Sequence, residues 1–283
     1  MKRKKGHILV IGILILLIIL LNIFWGIMLI KERAKIKHAI IPTLSEDYFI
    51  ERQTLTKNAF EIEIKSEGTS ESTPSFFQIE NVFLINQNPD YPNGCEAAAA
   101  VMLLNYYGID ITLQEFIENH LLTKNVYEEN GTRFGPNPAL YYAGDPTSPT
   151  RGWGCFEPVI VNAMKSAIAS YEKKTNQQLK IEFIETEAIH SLDTYAFFNQ
   201  PFLIWTTIDY EEVTDIYEWF NYEKTKTYTY PKNSHVVVVT GMDEEYYYIN
   251  DPLKNEKNIP VKRETLEKSF DSLGRQKIIL KKY

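Results

Sequence analysis

The sequence predicts an α+β fold in which helices pack on an antiparallel sheet, behind an N-terminal transmembrane helix. Two observations predict this arrangement for the main domain, which we place at residues 76–283. Helical patterns come first, around 95–107 and 157–173, and β-rich runs dominate from about residue 201 onward. About 208 residues is a reasonable size for one domain with one hydrophobic core. We find no internal repeat.

The N-terminal segment, residues 1–30, differs in kind from the rest of the chain. Basic residues at 2–5 precede residues 8–30, a run that is apolar except for Asn22 and two glycines. This run is long enough to cross a bilayer, and it exceeds the apolar core of a signal peptide. Because no Ala-x-Ala cleavage site follows, we expect a single-pass signal-anchor in the cell membrane, with the domain extracellular. A cleaved secretory signal is the alternative.

Residues 31–75 are expected to form a stalk or linker between the membrane and the domain. Residues 66–75 are polar and rich in Ser, Thr and Glu, as in a flexible linker. Residues 60–65 alternate between apolar and charged, so this short piece is strand-like.

The charge distribution argues against a nucleic-acid partner. Residues 1–38 hold eight of the 30 Lys/Arg and one of the 37 Asp/Glu, which leaves 22 basic against 36 acidic residues. Residues 39–283 therefore have a net charge of about -14 and lack the positive footprint that phosphate contacts need.

The stretch 87–108 contains the strongest functional signal. A Pro/Asn/Gly-rich turn precedes Cys95, which opens a helix that is apolar almost all round and is expected to be buried. Asn93 is a plausible N-cap and Gly108 a plausible C′ residue, so the predicted helix runs from about Cys95 to Tyr107. A thiol in the first turn meets free N–H groups and the helix dipole, and both are expected to lower its pKa.

The remaining elements follow from local pattern. We predict helices at 112–120, 157–173, 187–199 and 264–270, and strands at 82–85, 179–184, 201–208, 235–240, 246–251 and 276–281. Residues 130–155 form a long loop rich in Gly and Pro, which is often functional in a compact domain. Residues 209–231 are interpreted as an exposed insertion.

His235 is the candidate base for the Cys95 thiol. Of five histidines, it is the one that opens a very apolar strand directly after a polar turn, which places it at a sheet end. If the hairpin turns near 243–244, Asp251 lies beside His235 and can fix the imidazole tautomer. Asn250 points to the opposite strand face, and Gln87 could donate to an oxyanion beside the N–H of Cys95.

Taken together, these motifs resemble a known family. They are Gln87 with Tyr91-Pro-Asn-Gly-Cys95-Glu-Ala, Gly152-Trp-Gly154, Ser234-His235-Val-Val and Asn250-Asp251-Pro252. Over about residues 80–282 the chain resembles the C39-like cysteine peptidases, which have a papain-like fold and are related to bacteriocin-leader-processing domains. The resemblance implies Cys95 as nucleophile, His235 as base, Asp251 as its orienter and Gln87 as oxyanion donor. It also implies a peptide or protein substrate. Leader cleavage is not carried over, because the leader-processing members are fused to a transporter with an ATPase and this sequence has no P-loop.

Other functions stay open at this point. The same fold can serve as an inactive surface binding module, or as a transferase in which an amine replaces water. Cys155 raises the first alternative, since two cysteines in an exported protein often form a disulfide. No His/Cys/acid cluster has metal-ligand spacing, so we expect neither a metal nor a cofactor. The oligomeric state is not indicated.

Overall fold

The computed structural model of the protein describes residues 76–184, 192 and 199–283, with helical residues at 18, 20–25 and 28. Most of the predicted membrane segment, the stalk and nearly all of the predicted helix at 187–199 therefore lie outside the described residues. Among the described residues, no helix combines the length and the apolar character that a bilayer crossing requires.

The described domain is a sheet-rich α+β structure, as the pattern predicts. The helices are α1 (Cys95–Tyr106), α2 (Leu113–Asn119), α3 (Glu157–Thr175) and α4 (Arg263–Ser272). The strands are β1 (Phe77–Gln78), β2 (Thr123–Lys124), β3 (Tyr127–Glu129), β4 (Thr132–Phe134), β5 (Tyr142–Gly144), β6 (Gly152–Gly154), β7 (Ile181–Phe183), β8 (Phe202–Thr207), β9 (Ile216–Phe220), β10 (Thr227–Pro231), β11 (Ser234–Met242), β12 (Tyr246–Asp251), β13 (Glu256–Lys262) and β14 (Lys277–Lys282).

The main sheet is antiparallel and has the order β13-β12-β11-β8-β14-β7, with β1 paired to β11. Two smaller sheets, β10-β9-β4-β3 and β2-β5-β6, complete the described structure. Helix α1 packs against β11 and β8, and every residue from Cys95 to Leu104 is buried. A helix that is apolar almost all round is stable when a sheet and other helices cover it, which explains its central position.

The turn before α1 is built differently from the prediction. Gly94, rather than Asn93, is the N-cap, and no side chain caps the helix. The Asn93 side chain instead donates to the carbonyl oxygen of Ser148 at 2.6 Å, which ties the turn to the 130–155 loop. A Cβ at Gly94 would lie 2.8 Å from Cβ of Tyr91, so the tight turn needs glycine there.

Two predicted elements are wrong. Residues 82–85 form no strand, although Val82 is fully buried and its carbonyl accepts a hydrogen bond from Asn250 at 3.3 Å. Residues 209–231 are not merely an exposed insertion, because they form the β9–β10 hairpin. The hairpin buries Trp219 and Tyr230 against the core, since their polar atoms find partners inside the protein.

Candidate active site

The site forms where α1 begins, against the strand that opens with His235. Residue Cys95 is the first of α1 and is 8% exposed. Its turn is closed by two backbone bonds, from Tyr91 to Gln87 at 2.9 Å and from Gly94 to Tyr91 at 2.8 Å. These two bonds fix the backbone that leads into the first turn of α1, where Cys95 lies.

The β11–β12 hairpin brings His235 and Asp251 together, as the sequence predicts. The two strands are antiparallel and their turn lies at 243–245, so the start of β11 faces the end of β12. Atom Nε2 of His235 lies 2.9 Å from Oδ1 of Asp251, and both side chains are almost fully buried. Asn250 faces away, and it binds the backbone of Val82 and Asn258.

Four hydrogen-bond donors converge on the Asp251 carboxylate. Besides His235, they are the Tyr210 hydroxyl at 2.6 Å and the backbone N–H groups of Leu253 and Lys254 at 2.8 and 3.0 Å. Burial alone would raise the pKa of Asp251, but the hydrogen bond and charge of His235, with the other donors, hold it well below its usual range. An ionised Asp251 must accept the proton on Nε2, so Nδ1 of the neutral imidazole is free to take a proton.

The surroundings of the Cys95 thiol differ from the expectation. Its Sγ donates to Oε2 of Glu96 at 3.3 Å and accepts from the backbone N–H of Val236, the residue after His235. Burial, and then the charge and hydrogen bond of Glu96, raise the pKa of the thiol well above its usual value. The N–H groups of Val236 and Glu96 act in the opposite direction. The prediction of a lowered pKa considered the helix terminus and omitted the neighbouring carboxylate.

Gln87 is buried at the turn before Cys95, and its backbone connects that turn to the end of β12. Its N–H donates to the carbonyl of Pro252 at 3.1 Å, directly after Asp251. Its side-chain Nε2 donates to Pro92 at 2.8 Å, while its Oε1 has no partner among the described residues. The structure thus places all four predicted site residues around one junction between α1 and the β11–β12 hairpin.

Sequence reasoning missed two residues that contact the site, Glu96 and Tyr210. Glu96 is the one charged residue in an otherwise apolar helix, and that contrast is a readable signal of a specific role. Tyr210 lies in the segment interpreted as an exposed insertion, and its left-handed backbone (φ 60°) is unusual for a bulky side chain. Nothing in the local sequence marks Tyr210 as a partner of Asp251.

Both cysteines are free in the structure. Cys155 is completely buried, and its backbone carbonyl accepts from the indole of Trp205 at 3.0 Å. Within the part of the chain that the structure describes, no cluster of three or more His, Cys, Asp or Glu side chains could hold a metal ion.

Comparison with known proteins agrees with this picture. Residues 79–278 match the model of the Peptidase_C39 like family. An uncharacterised protein of Bacillus subtilis (strain 168), YvpB, is 28% identical over 204 residues, which cover 71% of this chain and 75% of that protein. The crystal structure of a candidate C39-like peptidase from Bacillus anthracis has a similar fold, with a TM-score of 0.59 at 24% identity, covering 74% of this chain and 98% of that one. Since the family model spans most of the domain, the chain belongs to the Peptidase_C39 like family.

Proposed function

We propose that the protein is a cysteine peptidase with a papain-like domain, which hydrolyses a peptide bond through Cys95, His235 and Asp251. The observation that carries the proposal is the buried His235–Asp251 pair, 2.9 Å apart, on the strand that also binds the Cys95 thiol through Val236. Membership of a peptidase family supports a peptide or protein substrate. The free state of both cysteines favours an enzyme over a binding module closed by a disulfide.

The proposed chemistry begins with a proton transfer from Sγ of Cys95 to Nδ1 of His235. The S–H bond breaks, its electron pair stays on sulfur, and an imidazolium forms that the Asp251 carboxylate stabilises. The thiolate attacks the carbonyl carbon of the substrate, and the imidazolium then protonates the leaving amine. A thioester remains, which a water deprotonated by His235 hydrolyses to release the acid and the free thiol.

Gln87 is proposed to stabilise the negative oxygen of the tetrahedral intermediate. One N–H of its Nε2 is bound to Pro92, which holds the amide still, and the second can donate to the oxyanion together with the N–H of Cys95. A donor that is already fixed costs no reorganisation when charge develops.

The test uses the purified full chain in detergent with a library of denatured proteins. New N-termini are identified by mass spectrometry. We expect cleavage by the wild type and by Cys155→Ala, whose buried thiol takes no part in the mechanism, and none by Cys95→Ala. Equal cleavage by Cys95→Ala would reject the proposal. Products in which an added amine replaces water would reassign the enzyme as a transferase.

We further propose that residues 8–30 anchor the protein in the cell membrane and that the domain is extracellular. The support is the length and apolar character of this run in the sequence. We expect the full chain to sediment with membranes and its domain to be digested by protease added to intact cells. Replacing Ile19 and Leu20 by Arg, at about 2.5–3.5 kcal/mol for each charge at the helix centre, should release the protein from the membrane fraction. An unchanged distribution would exclude the anchor.

A further inference from the structure

The mechanism above leaves one buried acid unused, and this acid touches the nucleophile. Glu96 is 2% exposed, and its Oε2 lies 3.3 Å from Sγ of Cys95. Among the described residues, the thiol donates its hydrogen bond to this carboxylate rather than to His235. A charged side chain is rarely buried unless hydrogen bonds or an opposite charge replace its lost hydration, because that loss costs much free energy.

Two separate segments of the protein supply hydrogen-bond donors to the Glu96 carboxylate. Oε1 of Glu96 accepts from the backbone N–H of Cys155 at 3.0 Å, and the Tyr230 hydroxyl lies 3.2 Å from the same oxygen. Gly154, the last residue of β6, leaves room for this arrangement, since a Cβ there would lie 2.4 Å from the Tyr230 hydroxyl and 2.6 Å from Oε1 of Glu96. The carboxylate is therefore held in a fixed position against the thiol.

We propose that Glu96 is a positioning residue that keeps the resting Cys95 thiol protonated, with the proton directed away from the imidazole. The inference rests on the proposed function of Cys95 and adds a restraint on when its thiolate forms. When the proton moves from Sγ to Nδ1 of His235, the new thiolate stands beside the Glu96 carboxylate. Two like charges at hydrogen-bond distance repel, so thiolate formation is opposed as long as Glu96 is ionised.

The ionisation of Glu96 and that of Cys95 are coupled. Burial raises the pKa of Glu96, while its own N–H, the Cys155 N–H, the Cys95 thiol and the Tyr230 hydroxyl lower it. Titratable groups also face Glu96 from the other elements around it. They are Cys95 on α1, Cys155 in the β6–α3 loop, Tyr142 on β5 and Tyr230 on β10.

The decisive variant is Glu96→Gln, which has the same shape and keeps an acceptor for the Cys155 N–H. Its amide is neutral and can donate to the thiolate, so the repulsion is replaced by an attraction. The full chain is labelled with iodoacetamide from pH 4 to 10, and label on Cys95 is separated from label on Cys155 by peptide mass mapping. We expect the midpoint of Cys95 labelling to fall by about one pH unit or more, hence about tenfold faster labelling below the midpoint.

A matched control has the same change of charge on a neighbouring helix. Glu118→Gln alters an exposed residue of α2 that does not contact Cys95, and its midpoint should equal that of the wild type. Tyr230→Phe removes one donor from Glu96 and makes its ionised form less stable, so the midpoint should fall by less than in Glu96→Gln. Tyr230→Phe decides the question if Glu96→Gln fails to fold.

The outcomes separate this inference from the proposed function. An unchanged midpoint in a folded Glu96→Gln would mean a purely structural role, and a raised midpoint would make Glu96 the base that removes the proton. Either result overturns the inference. Labelling needs no peptide cleavage, so it can succeed even if no substrate is hydrolysed. His235→Ala tests the proposed function in the same assay, since loss of the imidazole should raise the midpoint.

Discussion

Two buried carboxylates flank the site, and they have opposite effects on the groups they contact. Asp251 accepts a hydrogen bond from His235, and that contact favours the ionised form of Asp251. Glu96 accepts a hydrogen bond from Cys95, and that contact opposes ionisation of the thiol. Both side chains are buried, so burial alone does not distinguish them.

The difference lies in the charge that the partner acquires. An imidazole becomes positive when it gains a proton, so a neighbouring carboxylate attracts it, whereas a thiol becomes negative when it loses one. A carboxylate next to a reactive group therefore activates a base and restrains an acid. The predictions below separate these two roles, beginning with the largest expected effect.

Removing the Asp251 carboxylate should nearly abolish catalysis. In Asp251→Ala the imidazole loses the group that fixes its tautomer and stabilises its charge, and we expect kcat to fall by about 10²–10⁴-fold. Peptide cleavage rates give the measurement, once a substrate is identified. Asn250→Ala is the matched control, because the neighbouring residue faces away from His235 and should change stability without a comparable change in kcat.

Asp251 and Glu96 should change the free energy of unfolding with pH in opposite directions. The folded pKa of Asp251 is lower than its unfolded value of about 3.9, so its contribution is present above that pH and is lost as pH falls below about 4. The folded pKa of Glu96 is raised above its unfolded value of about 4.3, so its contribution is present below that pH and is lost as pH rises through the folded pKa.

Urea unfolding between pH 3 and 8 measures both effects. Relative to the wild type, Asp251→Asn should be destabilised most at neutral pH and progressively less below pH 4. Glu96→Gln should gain relative stability as pH rises. Parallel curves for the wild type and both variants would contradict the assigned pKa directions.

The Tyr210 hydroxyl should affect the stability that Asp251 provides and have little effect on the Cys95 thiol. Tyr210→Phe removes a 2.6 Å hydrogen bond to a buried carboxylate, which should lower the free energy of unfolding by about 1.5–3 kcal/mol. The midpoint of Cys95 labelling should shift less than in Glu96→Gln. Tyr222→Phe is the control, since its hydroxyl binds Asn125 at the surface and its loss should cost about 0.5 kcal/mol or less.

The smallest expected effect comes from a helix cap away from the site, which shows whether a loss of stability alone changes Cys95 labelling. The Thr112 side chain accepts from the N–H of Glu115 at 3.1 Å and caps α2. Thr112→Ala should lower the free energy of unfolding by about 1 kcal/mol and leave the pH dependence of Cys95 labelling unchanged. A shifted labelling profile would mean that general destabilisation alone can alter the thiol.

The parts of the fold that the sequence predicts are those governed by local pattern. An apolar run after a tight turn predicts α1, and two β-rich runs on either side of a short turn predict the β11–β12 hairpin with His235 and Asp251 at adjacent ends. Hairpin geometry is local, so the proximity of these two side chains follows from strand register.

The parts that were missed depend on contacts between distant segments. The burial of Glu96 requires donors from Cys155 and Tyr230, and the capture of Asp251 by Tyr210 requires a left-handed residue after β8. Local pattern carries no information on these pairings. The predicted strand at 82–85 fails for the same reason, because the Val82 carbonyl accepts a hydrogen bond from the distant Asn250 side chain and not from a neighbouring strand.

The hydrogen bond from the Gln87 N–H to the Pro252 carbonyl has a consequence for synthesis of the chain. The turn before Cys95 is translated early in the domain, and its partners on β11 and β12 are translated close to the end of the domain. A nascent chain therefore holds an unpaired Cys95 until almost the whole domain has left the ribosome, and long-range pairing of this kind forms slowly. A chain that terminates before β11 lacks His235 and Asp251, so the arrangement of side chains around Cys95 forms only after almost the whole domain has been synthesised.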